Sequence, residues 1–422
     1  MSVVSGAAGK PVRYAFLVLL SFSALLIIPR MLSAGAGIHG AKASGMGTAF
    51  IAVADDPSAL TFNPAGITQI KGTQIYAGGT AIIPSSTYKS PTGASAQTHA
   101  QVFFPPYFYT CSDLNTKDLR VGFGISSPFG IGGRDWGAYG PLRYLSTNSS
   151  IATVALNPTV AYQLSPSLSI AAGVDYMMAW NESDVMVNQS LVGAGDAKLR
   201  ASGHGDGWGW NVGLLFTPSP RWSFGFQYRS SIDVTYDGSL YLSRIAAPLQ
   251  PLFGAATFRS PIRTSNTFPD ILGFGVAFRP THKWTIALDV ERYGWSTFDT
   301  VTTEVKRPLP AAGITDRQAA LDWKDSWTFR TGAEYRPTDR LALRAGYVFQ
   351  QTQVPGRTLE PSNPDANQQI ITIGSGYTFK TVTLDFFYGA QFFETRRVQN
   401  GIVNGKFENF AHYFGFALGK KF

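Results

Sequence analysis

Charge is scarce in this chain of 422 residues: Asp, Glu, Lys and Arg make up 15% of it, where about a quarter is usual for a soluble domain. There is one cysteine, Cys111, so no internal disulfide can form, and no metal-ligating partner stands near it in sequence. The formal net charge is +8, yet the basic residues are scattered and form no Lys/Arg run of the kind that binds nucleic acid. Three of them, Lys10, Arg13 and Arg30, lie in the leader. No Gly-x-Ser-x-Gly elbow is present, and His39, His204 and His412 are dispersed. The stretch GHGDGWGWN, residues 203–211, has the outline of a phosphate loop but lacks its Lys and its strand–loop–helix setting. Its glycines are better read as facing the lumen from a strand. These absences exclude an enzyme built on a nucleophile and base, a metal centre and a bound cofactor.

Long apolar runs are also missing, with one exception. Lys10 and Arg13 precede YAFLVLLSFSALLII, residues 14–28, and Ala34-Gly35-Ala36 follows. Basic start, apolar centre and small-residue cleavage site are the order of a secretory signal peptide. The run falls short of the about 20 residues that span a bilayer as a helix. Residues 1–36 are therefore expected to be a cleaved signal peptide.

What the sequence has in abundance is glycine (44 residues), aromatics (14%) and alternation. In KWTIALDVERY, residues 283–293, Trp284, Ile286, Leu288 and Val290 share one face, and Thr285, Ala287, Asp289 and Glu291 the other. RWSFGFQYR, SWTFRTGAEY and RLALRAGYVF follow the same rule, which is that of strands with one apolar and one polar face. Pro-containing turns recur between them, in YQLSPSLSIAAGVDY, FTPSPRWSFGFQY, FRPTHKWTIALDV and YRPTDRLALRAGY. The pattern from residue 73 onward yields about fourteen strands, among them 98–109, 205–217, 221–236 and 283–300. Their connections alternate between short turns and long loops, as in an outer-membrane β-barrel.

A barrel of that size is too wide to be filled by its own side chains. The apolar face is thus expected to meet outer-membrane lipid, with Asp289, Glu291, Arg330, Glu334 and Arg344 facing the lumen. Closing the sheet removes edges that such Gly-rich strands would otherwise expose. The last segment, NFAHYFGFALGKKF, ends an amphipathic strand on Phe422. That ending is similar to the signal read by the barrel-assembly machinery.

Ahead of the barrel pattern lies GMGTAFIAVADDPSALTFNPAGIT, residues 45–68: small, turn-prone and weakly polar. With its Gly45, Gly47, Asp55, Asp56, Asn63, Pro64, Ala65 and Gly66, it resembles the N-terminal plug of the outer-membrane transporter family for long-chain fatty acids and other hydrophobic compounds (FadL/TodX type). ALNPTVAYQLSPSLSIAAGVDY, PDILGFGVAF, DVERYGWSTFD and DWKDSWTFRTGAEYRPTDRLALRAGYVF extend the resemblance over the mature chain. It implies an all-β protein with residues 37–72 as a hatch inside a fourteen-stranded barrel of residues 73–422. It also implies uptake of a hydrophobic small molecule and release through a gap in the wall at the third strand. Here that strand runs into Ser126, Ser127, Pro128, Phe129 and Gly130. Asp55 and Asp56, without further ligands, read as hatch hydrogen-bonding or capping groups. Trp136, Tyr139, Leu142, Tyr144 and Leu145 form an apolar loop segment that either captures ligand or packs the loop onto its neighbours. A general diffusion porin and an aromatic-hydrocarbon channel of the same family are the alternatives. The protein is expected to act as a monomer.

Overall fold

The computed structural model describes residues 39–422, so the expected signal peptide lies outside the described residues. Fourteen strands close into one antiparallel barrel. In chain order they are β1 (Thr73–Lys89), β2 (Pro106–Ser112), β3 (Leu119–Ser126), β4 (Asn148–Ser165), β5 (Leu168–Val187), β6 (Ala197–Ser219) and β7 (Trp222–Arg229). They continue with β8 (Ile271–Phe278), β9 (Trp284–Tyr293), β10 (Ser326–Tyr335), β11 (Leu341–Gln350), β12 (Gln368–Phe379), β13 (Val382–Phe393) and β14 (Asn404–Lys421). Each pairs with the next, and β1 pairs with β14 from Gln74↔Lys421 to Lys89↔Lys406, which leaves the ring no edge. The short turns and the C-terminus share one rim, and the long loops share the other, the arrangement in which short turns face the periplasm.

Alternation is inverted relative to a soluble barrel. On β12 and β14, Ile371, Ile373, Phe414, Phe416 and Leu418 are exposed outward, while Thr372, Tyr413 and Ala417 are buried. Aromatic pairs mark the short-turn rim, including Trp222–Phe278 with ring centroids 4.5 Å apart and Trp284–Tyr335 at 4.6 Å. Such amphipathic rings favour the lipid–water boundary.

Several strand limits differ from the sequence reading. Residues 221–236 alternate without a break in sequence, yet the strand parts at Ser230-Ser231. Trp222 and Phe224 point outward below that point, whereas Ile232, Val234 and Tyr236 are buried above it. One extra residue on the inner face, the pair Arg229 and Ser230, reverses the side on which the even-numbered residues fall. The neighbouring chain does the same at Pro269-Asp270: Phe258 and Ile262 are buried, but Phe274 is exposed. Below this level the outside is lipid and takes the apolar face. Above it the outside is water, and the apolar face turns inward. The upper strands Ile232–Ser243, Phe258–Phe268, Thr300–Val305 and Arg317–Ala320 thus continue the wall as an extension. β9 ends at Tyr293 and β2 begins only at Pro106. In β6 the alternating glycines do face inward: Cβ atoms at Gly205 and Gly207 would lie 2.2 Å from the carbonyl oxygens of Thr235 and Asp233.

Candidate functional site

Residues 39–72 lie inside the ring, with a short helix at Ala41–Gly45, another at Ala59–Phe62 and a 3-10 helix at Pro64–Gln69. Nearly all of this segment is buried. The wall accepts it because glycines flatten the inner face where it passes. A Cβ on Gly213 would meet Asn63 Oδ1 at 2.3 Å, and one on Gly225 the Ile51 carbonyl oxygen at 2.2 Å. On β10 and β11, Gly332 and Gly346 face Met46 and Gly47 at 2.1 and 2.0 Å. The glycine abundance is therefore a requirement for backbone-to-backbone contact, which any side chain would block.

Asn63 holds the segment together and to the wall. Its Nδ2 donates to the carbonyls of Ile51 (2.8 Å) and Leu214 on β6 (3.0 Å), and its Oδ1 accepts from Ala65 N–H (3.2 Å). Pro64 opens the following 3-10 helix, where its lack of an N–H costs nothing. Gly66 packs so tightly on Ala54 that a Cβ would lie 2.2 Å from the Ala54 carbonyl oxygen. Asp55 accepts from Lys42 Nζ at 2.6 Å, and Asp56 from the N–H and Oγ of Ser58 at 2.7 and 2.5 Å. Burial pushes the Asp56 carboxyl up to about 6. Burial pulls Lys42 down, but Asp55 and Glu334 more than offset this and hold it above the ordinary lysine value.

The lumen acids and arginines come together across strands. Glu291 pairs with Arg330, and Glu334 with Arg344 at 2.7 Å; Arg344 also reaches Asp385 on β13 at 2.6 Å. Asp289 stands opposite Arg330 in register, yet its carboxylate accepts from the N–H groups of Phe50 (2.6 Å) and Ile51 (2.8 Å). It anchors the inner segment instead. The sequence reading missed Asp385 and the buried pair Asp175–Arg229. The signal was available: both acids sit at inward positions of alternating strands, as Asp289 does. Asn157 and Asn211 complete the shell of Asp175 at 3.1 and 2.9 Å. Arg229→Met should destabilise the barrel by about 3–5 kcal/mol, because a buried carboxylate loses its counter-charge. A lowered temperature for the heat-induced shift in electrophoretic mobility is the readout.

At the third strand, pairing with β2 stops at Phe108↔Ile125. The chain then turns: Gly130 N–H donates to Ser127 O at 2.9 Å, and Gly130 takes φ +86°. It resumes as a strand at Ile131–Asp135, paired on the β4 side from Ile131↔Ala152 to Asp135↔Asn148. Ser126 to Gly130 thus have no ladder to β2. Phe129 points inward, 1% exposed, with its ring 4.6 Å from Phe268 and 6.3 Å from Trp295. Both belong to a large apolar cluster that also holds Phe298, Trp323 and Phe407.

The loop segment divides. Trp136 and Leu142 are buried in that same cluster, Leu145 packs against it, and Trp136 Nε1 donates to the Pro361 carbonyl at 2.8 Å. Tyr144 donates to Asp196 at 3.0 Å, and Tyr139 alone stands in the open, 88% exposed.

A family model for outer membrane protein transport proteins (OMPP1/FadL/TodX) matches residues 25–422. The long-chain fatty acid transport protein of Salmonella typhi is 24% identical over 426 residues, covering 94% of this chain and 96% of that protein. Its counterpart from Escherichia coli K12 is also 24% identical, over 437 residues with the same shares. Among solved structures, a Pseudomonas aeruginosa FadL homologue superposes with TM-score 0.77 at 17% identity, over 94% of this chain and 100% of that one. The Pseudomonas putida toluene transporter TodX superposes with TM-score 0.74 at 19% identity, over 92% and 99%. At such identities the structural likeness speaks for the fold alone.

Proposed function

Because the chain belongs to the outer membrane protein transport protein family (OMPP1/FadL/TodX), whose members are transport channels rather than enzymes, we propose that it takes up hydrophobic small molecules. In this reading residues 39–72 are a plug that stops small solutes from leaking through the lumen. Ligand enters among the extracellular loops around Trp136, Tyr139, Leu142, Tyr144 and Leu145. It moves through the apolar cluster and leaves sideways past Ser126 to Gly130 into lipid. The observation that carries this route is the missing ladder between β2 and residues 126–130, with Phe129 joining the gap to the apolar interior.

Energetics favour a sideways exit. A greasy ligand gains about 25 cal/mol per Å² of apolar surface on entering lipid, and nothing comparable in the periplasm. Relatives named as fatty acid transporters and as toluene transporters bracket the ligand class. Cells lacking the protein should lose uptake of a labelled long-chain acid or hydrocarbon, and complementation should restore it. Unchanged accumulation of the whole panel would contradict uptake. A porin reading requires steady large channels from the intact protein in a planar bilayer. In this reading Phe422, 68% exposed after the last strand, carries the signal for the assembly machinery.

Asn63→Ala tests the plug. The change removes two donated hydrogen bonds and the cap of the 3-10 helix, leaving the buried Ile51 carbonyl unpaired at about 1–3 kcal/mol. Uptake should fall while heat-modifiable, folded barrel persists. Normal transport by the folded variant would make the tripeptide a mere linker.

A further inference from the structure

Positive charge gathers on one arc of the short-turn rim, from β6 round to β14. The turns PSPR (218–221), RPTHK (279–283), RPTDR (336–340) and KT (380–381) and the C-terminal KKF (420–422) hold eight Lys and Arg against one acid, Asp339. With Lys10, Arg13 and Arg30 set aside, 32 of the 35 Lys and Arg and all 27 Asp and Glu lie in residues 39–422, a net +5. The arc alone carries +7, so the remainder of the described chain is slightly acidic. The turn between β2 and β3 lacks the excess, since Asp113 and Asp118 outnumber Lys117.

These cations are also poorly partnered. Among the eight, Arg336 alone has a carboxylate within 4.0 Å among the described residues, Glu334 at 2.8 Å. Arg279 and Lys420 reach hydroxyls, Ser223 Oγ at 2.7 Å and Thr381 Oγ1 at 2.8 Å. At the long-loop end, by contrast, Arg143, Arg200, Arg263, Arg292 and Lys306 each sit on an acid. Like charges on neighbouring turns repel one another, so the arc gains from any anion brought alongside it.

Position identifies the anion. The turns set their cations beside wall aromatics, as in Arg221-Trp222, Phe278-Arg279, Lys283-Trp284, Tyr335-Arg336 and Phe379-Lys380. The Lys380 ammonium lies 5.6 Å from the Phe379 ring centroid, and that of Lys420 5.7 Å from Phe422. Such rings mark the lipid–water boundary, which puts the cations at the depth of the phospholipid phosphates. Arg336, Arg340, Lys380, Lys420 and Lys421 also line a cavity of about 260 Å³ that reaches Lys42 of the inner segment. Its acids Asp55 and Asp385 are already paired, with Lys42 and Arg344.

We propose that the β6–β14 arc of the rim binds the headgroups of anionic phospholipids in the periplasmic leaflet. A phosphate at the cavity mouth meets Lys380 and Lys421, and the acyl chains lie on the exposed Phe379 and Leu418.

The test compares two phospholipids with the same chains, anionic dimyristoylphosphatidylglycerol and zwitterionic dimyristoylphosphatidylcholine. Each is titrated onto detergent-solubilised full-length protein and the bound copies are counted by native mass spectrometry. Wild type should prefer the anionic lipid. Arg340→Gln/Lys380→Gln/Lys421→Gln should weaken that lipid roughly 100-fold at low salt and leave the zwitterionic one within about 2-fold. Arg244→Gln/Arg259→Gln/Arg397→Gln removes as much charge from exposed long-loop positions and should leave the preference unchanged. Equal wild-type affinity for the two lipids overturns the proposal whatever the variants do, and would leave the rim to an acidic protein. Equal weakening by the two triple variants also overturns it, because the lipid would then read net charge and not the rim. Displacement of the lipid by equimolar inorganic phosphate would overturn it as well, by assigning the site to a soluble anion.

Discussion

Gly346→Val should turn a closed barrel into a conducting one. A Cβ at residue 346 would sit 2.0 Å from the Gly47 nitrogen and 2.3 Å from the Met46 carbonyl carbon. Both are backbone atoms, so no rotamer change relieves the clash. The β11 side is fixed by its ladders to β10 and β12, from Gly346↔Gly332 to Gly346↔Thr372. The inner segment must therefore give way. With it go the contacts of Gly47 N–H to Thr372 Oγ1 (3.0 Å) and of Phe50 and Ile51 to Asp289. A ring of this strand number lies between the filled eight-stranded and the water-filled sixteen-stranded cases, so an unplugged one should pass ions. The intact protein should be silent in a planar bilayer and the variant should show steady steps. Gly195→Val, where an added Cβ meets nothing within 4 Å, is the matched control. Silence from a folded Gly346→Val protein would mean that the segment is not what closes the lumen.

The barrel was legible because lipid imposes a rule on every strand: apolar residues at alternate positions, whatever else the strand does. Trp222, Phe224, Phe226 and Tyr228 show it plainly. The same rule hid the extension. Ile232, Val234 and Tyr236 keep the alternation of the strand before them, and only the side they face is reversed. Nothing in RSSIDV states that water replaces lipid at Ser230, so one strand was read where two exist. Lumen charge was legible by parity for Asp289 and Glu291, and the same parity applied to Asp385 would have found it. Partner choice was not legible: Asp289 turns to the backbone of Phe50 and Ile51, residues more than two hundred positions away. The burial of Arg134 was invisible for a related reason. In SPFGIGGRDW it reads as a loop residue, and its burial depends on the turn at Gly130 folding the chain back against β4.

Locking residues 126–130 to the start of β2 should abolish uptake. If the ladder continued past Phe108↔Ile125, Ser127 would face Pro106, so cysteines at these two positions bracket the opening. They can be joined by a short thiol-reactive cross-linker without filling the lumen. This is preferable to filling Gly130, whose φ of +86° would make a Val strained as well as bulky. The native Cys111, on β2, is replaced by Ser so that the two introduced thiols are the sole targets. The ligand would still reach the apolar cluster around Phe129, Phe268 and Trp295, since the loops are untouched. Binding and transport should therefore separate in one protein.

That separation is the most direct test of lateral release. In cells expressing the Ser127→Cys/Pro106→Cys barrel, accumulation of a labelled long-chain acid should be normal before cross-linking, lost after it, and restored by a cleavable linker on reduction. Binding to the solubilised, cross-linked protein should be unchanged throughout. Normal uptake by a correctly inserted and fully cross-linked barrel would contradict an exit between β2 and residues 126–130.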